Sequence, residues 1–564
     1  VVATALLTFL TVGINLGVPF LIRFAVDGLT DGTITGQRLT LLLAGYASAA
    51  VAGAFVSRRM RRIPLRVGHL VEARIRADLF EHFTRLEQAF YRSQRTGDLM
   101  TRMTSDLNMV AMALGQGLLQ GFRTLIVFVM AFTVMFFTSW QLALIMLVLF
   151  PCMTLTFFWF VQLIRRKHEA VQEKYADVSN FSQETFTGVR TVKSFALEGR
   201  REGVFQDLNG ELVHRHLGLS RVQQTIWPMF AFWFSLGMVL LLVVGGRLVI
   251  AEKLSLGALV QFNHYLLYMQ WPMLALGWSA NLVQRGRTSW GRIEKVFDRQ
   301  PTICDTERTD STLEQLSGDI EFRNVTVEID GRRILDDVSL TIPAGSTLGL
   351  TGPTGSGKTV LVSLLTRVTD PTAGQILVGG RDIRDYPLEI LRSRIGFAPQ
   401  EPDLFSDTLA NNIGFGLKQK SMDAILWASD IAHLHGDVET FPDEYETVLG
   451  ERGVTLSGGQ RQRTSIGRAL ARKPDILIFD DALAAVDTHT EAAIIDKLRP
   501  VARDRTTLVV SHRMSALRFA DRIAVIEEGK ITAQGAPAEV EQDSRYFRRL
   551  IDLQRLEAGL EEGS

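Results

Sequence analysis

The sequence predicts two unlike halves in one chain: an α-helical six-span transmembrane domain with long cytoplasmic helical extensions, then an α/β domain built around a phosphate-binding loop. Three observations carry this prediction. The N-terminal half holds six apolar runs close to the roughly 20 residues that a helix needs to cross a bilayer core. From Gly318 the pattern changes to short β-rich runs alternating with helices, as in α/β folds. One such run, STLGLT, leads into Gly352-Pro353-Thr354-Gly355-Ser356-Gly357-Lys358-Thr359, a full match to G-x-x-x-x-G-K-[ST]. With 564 residues the chain exceeds one ordinary core. The expected boundaries are a membrane domain over 1–284, a linker over 285–317 and a nucleotide-binding domain over 318–564.

The spans are read as Val1–Leu29, Leu39–Val56, Leu118–Thr138, Trp140–Val161, Trp227–Ile250 and Gly257–Val283. Inside lipid every backbone polar group must be satisfied internally, which makes these runs helices. The second-to-third connection is dense in arginine from Arg58 to Arg102, and the fourth-to-fifth carries basic residues from Arg165 to Arg221. The remaining connections are short and nearly free of positive charge, so the long ones and the C-terminal domain are expected in the cytoplasm. Their periodic mix, as in EARIRADLFEHFTRLEQAFY, reads as membrane helices running on into water. The chain starts inside an apolar run, with neither the basic flank nor the cleavage site of a signal peptide. It is therefore expected to be numbered from within the first span, Val1 included.

The linker contains Pro301 and the aperiodic run CDTERTDST. Lys plus Arg balance Asp plus Glu at 61 each, which gives no global electrostatic case for nucleic acid. The two cysteines, Cys152 in an apolar run and Cys304 in the linker, do not suggest a disulfide framework.

The phosphate loop follows an apolar strand and precedes VLVSLLTRV, which has helical spacing. Glycines let backbone N–H groups wrap phosphates, and the helix N-terminus adds a favourable dipole. Lys358 then supplies charge to the β- and γ-phosphates of ATP, and the Thr359 hydroxyl is a Mg2+ ligand. A second strand run, Ile476-Leu477-Ile478-Phe479, ends in Asp480, positioned to hold Mg2+ through water.

Further motifs, including FAPQEPDLFSDTLANNI, VLGERGVTLSGGQRQR and DDALAAVD, give the whole chain a resemblance to bacterial ABC exporters of the six-span half-transporter type. It most resembles subunits of heterodimeric multidrug exporters. The resemblance implies that Gln400 touches Mg2+ and senses the γ-phosphate. It makes Leu456-Ser457-Gly458-Gly459-Gln460 a signature that contacts ATP on the opposite subunit, with Asp487 in the loop joining the two sites. His512, in VVSHRM, matches the switch histidine, and Glu451 matches a segment meeting the partner's membrane domain. Thr96–Arg102, continuing to Asp106, and Gln183–Arg190 resemble coupling helices.

Two positions depart from that pattern. Asp481 stands where the family usually carries the glutamate that polarises the attacking water. Ile329 stands where an aromatic residue usually stacks on adenine, a contact worth about 0.5–1.5 kcal/mol. The expected assembly is a heterodimer whose other half-transporter carries Glu after its Walker B aspartate, with this chain keeping a catalytically weak ATP site.

Within the spans, Arg123, Asn263, His264, Gln270 and Asn281 are costly in lipid and hence candidates for function. Gln261, Asn263, His264 and Gln270 are the residues expected to line a substrate cavity. The expected cargo is hydrophobic or amphipathic (drugs, lipids or peptides), and the expected site of action is a bacterial inner membrane, among lipid. Rival readings are an importer of the same fold, of siderophore type, and a non-transporting ATP-gated regulatory membrane protein.

Overall fold

The computed structural model describes residues 2–450, 453 and 456–561, so Val1 and Glu451 lie outside the described residues. The chain divides into two compact units, Val1–Phe83 with Thr96–Arg299, and Thr84–Arg95 with Gln300–Ser564.

The first unit is helical: α1 (Val2–Thr30), α2 (Gly36–Arg85, its last two residues in the second unit), α3 (Thr96–Thr138), α4 (Trp140–Thr187), α5 (Glu198–Ile250), α6 (Leu256–Tyr268) and α7 (Gln270–Phe297). Helices α1 to α5 are each long and apolar enough to cross a membrane. The 50 residues of α2 extend about 75 Å at 1.5 Å per residue, more than twice a core of about 30 Å. Spans and cytoplasmic connections are thus continuous helices, as the arginine-rich periodicity suggested. Val171 on α4 and Leu212 and Leu219 on α5 form one buried cluster, and Lys174 Nζ lies 2.7 Å from a Glu211 carboxylate oxygen. The membrane core gathers Met146, Phe150, Phe262, Tyr265 and Leu266, all close to fully buried.

The sixth expected span is broken into α6 and α7 at Met269. Pro272 explains the break, because it has no N–H to return to the Tyr268 carbonyl. Helix α7 also runs to Phe297, past the linker start expected at Arg285. Ser289, Ile293 and Val296 fall at helical spacing and are buried, and that stripe holds the extra turns in place. His82 Nε2 ends the helix, 2.9 Å from the Val296 carbonyl and 3.0 Å from that of Arg299. At the other end of the spans Asp27 caps α6. Its carboxylate accepts from Ser255 Oγ at 2.9 Å and Gly257 N at 2.8 Å.

Among the described residues the second unit holds ten strands: β1 (Ile320–Ile329), β2 (Arg332–Ile342), β3 (Thr347–Thr351), β4 (Ala373–Val378), β5 (Arg381–Asp382), β6 (Ile395–Ala398), β7 (Ile476–Asp480), β8 (Thr506–Val510), β9 (Arg522–Glu527) and β10 (Lys530–Gly535). An antiparallel sheet runs β2-β1-β4-β5, and a larger sheet runs β10-β9-β3-β8-β7-β6. In the larger sheet β9, β3, β8, β7 and β6 are all parallel. Strands β3, β7 and β8 are buried at every residue, which is why they read as unbroken apolar or Thr-rich runs rather than as alternation. Parallel neighbours bring their carboxyl ends to one edge of the sheet, where ligands of open α/β sheets bind.

Candidate functional site at the carboxyl edge of the parallel sheet

That edge collects four motifs that are far apart in sequence. The phosphate loop follows β3, Ser511 and His512 follow β8, Asp480 ends β7, and Gln400 comes two residues after β6. The loop then enters α8 (Lys358–Ser363). At Gly352, with φ +152°, an added Cβ would stand 2.0 Å from the Ile526 carbonyl oxygen. At Gly357, with φ +100°, it would stand 3.0 Å from that of Ile334. Only glycine fits either place. Between them run Pro353, Thr354, Gly355 and Ser356, the hydroxyl of Ser356 being buried without a hydrogen-bond partner among the described residues. Lys358 is 8% exposed, and its Nζ donates to the Gly352 and Pro353 carbonyls at 2.8 Å each. The loop thereby holds its cation at its own centre.

Thr359 Oγ1 donates to Asp480 Oδ1 at 3.2 Å, while Asp480 Oδ2 is buried with no partner among the described residues. A hydroxyl beside a half-satisfied buried carboxylate is a hard oxygen donor set, which suits Mg2+. Burial pushes the Asp480 carboxyl above its ordinary range, and the neighbouring Asp481 pushes it further. A cation here would relieve both effects. Thr359 and Asp480 therefore fit the metal role expected of them. The exposed Gln400 stands at the same edge.

Asp481 is half-buried and burial raises its carboxyl pKa, against the charges of His512 and Lys358. Its backbone is fixed at φ +48°, with its N–H donating to Val510 O at 2.9 Å and its carbonyl accepting from Ala484 N at 3.1 Å. His512 is pushed down by burial and by Lys358, with Asp481 opposing. Its Nδ1 lies 3.4 Å from Tyr546 Oη. With Nδ1 accepting from Tyr546, the neutral ring would carry its proton on Nε2 and could donate it to an anion.

The signature opens α9 (Gly458–Ala471). Ser457 caps it, accepting from Gln460 N at 3.2 Å while Ser457 N donates to Gln460 Oε1 at 2.9 Å, a reciprocal box that leaves other first-turn N–H groups open to an anion. Gln460 Nε2 also donates to Asp437 at 2.9 Å, and Arg463 pairs with the same carboxylate at 2.6 Å. Leu456 is buried beneath this turn, its carbonyl accepting from Arg461 at 2.8 Å. Gly459 passes closely over the joining loop, where a Cβ would stand 3.1 Å from the Ala485 carbonyl oxygen. Asp487 is exposed and caps α10 (Thr488–Ala502) through Thr490 N at 2.9 Å, which lowers its pKa. Ile329 stands at the tip of the β1–β2 hairpin, partly packed on the core of the smaller sheet.

Several groups that join these loops were not singled out from sequence. Gln462 accepts from Ala485 N at 2.8 Å and donates to the Gln400 carbonyl at 3.4 Å, tying two functional loops together. Arg513, next to His512, donates to the Ala484 and Val486 carbonyls at 2.8 Å each and pairs with Glu491. From α11 (Arg545–Glu561), Gln554 donates to the His512 carbonyl at 2.7 Å and accepts from Met514 N at 2.8 Å. Only contact maps would reveal these pairs, because most of their partners lie more than 20 residues away.

The residues expected to line a substrate cavity lie on α6 and at the start of α7. Gln261 is fully buried and donates to Tyr265 Oη at 3.0 Å, whose hydroxyl in turn donates to the Leu16 carbonyl at 2.9 Å. It is part of the packing between α6 and α1. Asn263, His264 and Gln270 are half-buried, and none of them lines the cavity of about 710 Å3 between α2, α3, α5 and α7. Apolar run length locates depth in the membrane but not which way a side chain faces.

A phosphate loop, a magnesium-suited Thr–Asp pair, a histidine after β8 and a capped helix carrying the LSGGQ run define an ATP-binding cassette, here joined to a helical membrane unit. Comparison with known proteins agrees. Residues 1–273 match the ABC transporter transmembrane region and residues 335–484 the ABC transporter domain. The multidrug resistance-like ATP-binding protein MdlA of Escherichia coli (strain K12) is 33% identical over 574 aligned residues, covering 99% of this chain and 95% of that protein. The ATP-dependent lipid A-core flippase of Syntrophus aciditrophicus (strain SB) is 34% identical, covering 86% and 81%. Among solved structures, a bacterial Atm1-family ABC exporter with ATP bound superimposes with a TM-score of 0.82 at 25% identity, covering 98% and 97%. The chain belongs to the ABC transporter family and has the exporter fold.

Proposed function

We propose that this chain is one subunit of a heterodimeric, ATP-driven exporter of hydrophobic or amphipathic compounds, working by alternating access in a bacterial inner membrane. The observation that carries the asymmetric reading is Asp481 beside an intact signature. In a head-to-tail pair of cassettes, the signature of Leu456 to Gln460 completes the partner's ATP site. The site at Lys358 holds its own ATP and turns it over slowly. Mg2+ held by Thr359 and Asp480 would neutralise phosphate charge. Gln400, His512 and Asp487 would sense the γ-phosphate and report across the pair, and Ile329 would pack on the base without stacking.

The kinds of cargo named for the multidrug-type and flippase relatives support a hydrophobic or amphipathic substrate. The coupling role falls to the connections between spans. Thr84–Arg95 belongs to the cassette unit, where Thr302 N donates to Glu87 at 3.4 Å, so this segment, just before Thr96–Arg102, is the stronger candidate for the first coupling element. Gln183–Arg190 remains the candidate for the second.

The test is affinity purification of the tagged chain from its native membranes. The expected result is a second half-transporter at one-to-one stoichiometry, carrying Glu after its Walker B aspartate and a departure from LSGGQ. A pure homodimer with full ATPase activity overturns the asymmetric reading.

A further inference from the structure

The cavity of about 710 Å3 in the membrane unit has a chemistry of its own. Its walls include Trp227, Trp271 and Trp278, with Met60 and Leu119, and its charged lining residues are Arg61 and Arg123 with no carboxylate. Arg123 is half-buried, and neither arginine has an ion pair or hydrogen bond among the described residues. Arg123 lies five residues inside the apolar run that begins at Leu118, about 7–8 Å along the helix. An unpaired cation at that depth is costly and marks a functional position by default.

The backbone around it is irregular in a way that opens the wall. Helix α3 makes a π-helical turn at Ala113–Gly117, so Gly115 and Gln116 of the lining lie on widened backbone. Ser279 of α7 donates to the Gly117 carbonyl, which gives a partner to a group next to that irregularity. On α2, Pro64 has no N–H to offer the Met60 carbonyl. Gly115 approaches α2 so closely that a Cβ would stand 3.1 Å from the Pro64 carbonyl oxygen. Cavity wall and helix crossing are built together.

We propose that this cavity is a binding site for amphiphiles with one compact anionic head, such as a phosphate or sulfonate, and one apolar body. The proposal rests on the exporter reading for its use in transport, and on the cavity alone for binding. Arg123 and Arg61 take the head, the guanidinium fork of each matching two anionic oxygens. The tryptophans take the body, their indole faces offering broad apolar contact. By register, Arg61 and Trp227 lie at the cytoplasmic end of their spans and Trp271 deeper, so the head enters at headgroup level and the body points inward. Two guanidiniums without a carboxylate exclude cationic amphiphiles of the same length, a charge-sign filter rather than a size filter.

The test compares dodecyl phosphate with dodecyltrimethylammonium on the assembled transporter in phosphatidylcholine nanodiscs, read by the shift in tryptophan emission. Saturable binding of dodecyl phosphate is expected, weakened roughly ten- to hundredfold by Arg123→Gln and largely restored by Arg123→Lys, while ATP binding at the Lys358 loop is unchanged. Competition by added phosphatidylglycerol would identify a membrane lipid as the natural source, and its failure to compete a free amphiphile. Equal binding of both probes, or dodecyl phosphate affinity unmoved by Arg123→Gln, overturns the site. Intact binding with no ATP-driven transport of any probe in inverted vesicles would strike the exporter reading and leave the site standing.

Discussion

Exchanging Asp481 for Glu adds one methylene to a side chain whose backbone has no freedom to shift. The Asp481 amide is tied to Val510 O at 2.9 Å, its carbonyl to Ala484 N at 3.1 Å, and its φ is +48°. With both peptide groups pinned, side-chain length alone sets how far the carboxylate reaches. A misplacement of about 1 Å in a group that positions a reactant costs on the order of 10²-fold in rate. That loss corresponds to about 2.7 kcal/mol of barrier, at about 1.36 kcal/mol per decade. Asp481→Glu is therefore expected to raise ATP turnover at this site by about two orders of magnitude. The assay is single-turnover hydrolysis by the assembled transporter in liposomes, with the glutamate proposed for the partner changed to Gln so that only this site reports. ATP affinity serves as the control and should stay within a fewfold, because Lys358 and its loop are untouched. If turnover does not rise, or if the unmodified Asp481 site already matches the partner's rate, side-chain reach is not what limits it.

The clamp on His512 gives a second expectation. Gln554→Ala removes bonds on both sides of Arg513, about 1 kcal/mol each, and should lower single-turnover hydrolysis about tenfold or more in the Asp481→Glu background while ATP binding holds. Tyr546→Phe should act in the same direction but less, since only the 3.4 Å contact is lost. A third concerns pH. Burial pushes the Asp437 carboxyl up, but Arg463 and Gln460 outweigh it and hold the folded pKa below the ordinary value. A depressed carboxylate contributes stability above its unfolded pKa of about 3.9, and that contribution is lost as pH falls through the folded value. The destabilisation caused by Asp437→Asn should therefore be largest near neutrality and shrink toward about pH 3, as read by thermal unfolding of the purified transporter.

The cassette was legible because its signals are local. Strands β3 and β7 are buried on both faces and read as apolar runs, each punctuated at its carboxyl end by the functional residue. Parallel order then brings those ends together without further instruction. The links between loops were not legible. Gln462, Arg513, Gln554 and Tyr546 carry no motif, and their roles come from partners brought near only by the sheet. The break at Met269 was foreshadowed by Pro272, but the continuation of α7 to Phe297 was hidden, because a narrow buried stripe among charged residues resembles a linker in composition.

The polar residues of the spans show what a span sequence does and does not say about its polar groups. Gln261 has a hydroxyl one helical turn on, at Tyr265, and the two meet at 3.0 Å. That contact satisfies Nε2 within its own helix and draws the residue into packing, while Gln261 Oε1 stays buried without a partner among the described residues. Arg123 has Leu119 and Gln120 before it and Ile126 and Val127 after it, so no acid at that spacing can neutralise it. Its charge must be met from another element or from a ligand, and among the described residues no other element supplies a partner. The cost of a polar group in lipid therefore singles out both residues equally. What separates them is that the amide finds part of its complement one turn away, whereas the guanidinium finds none there.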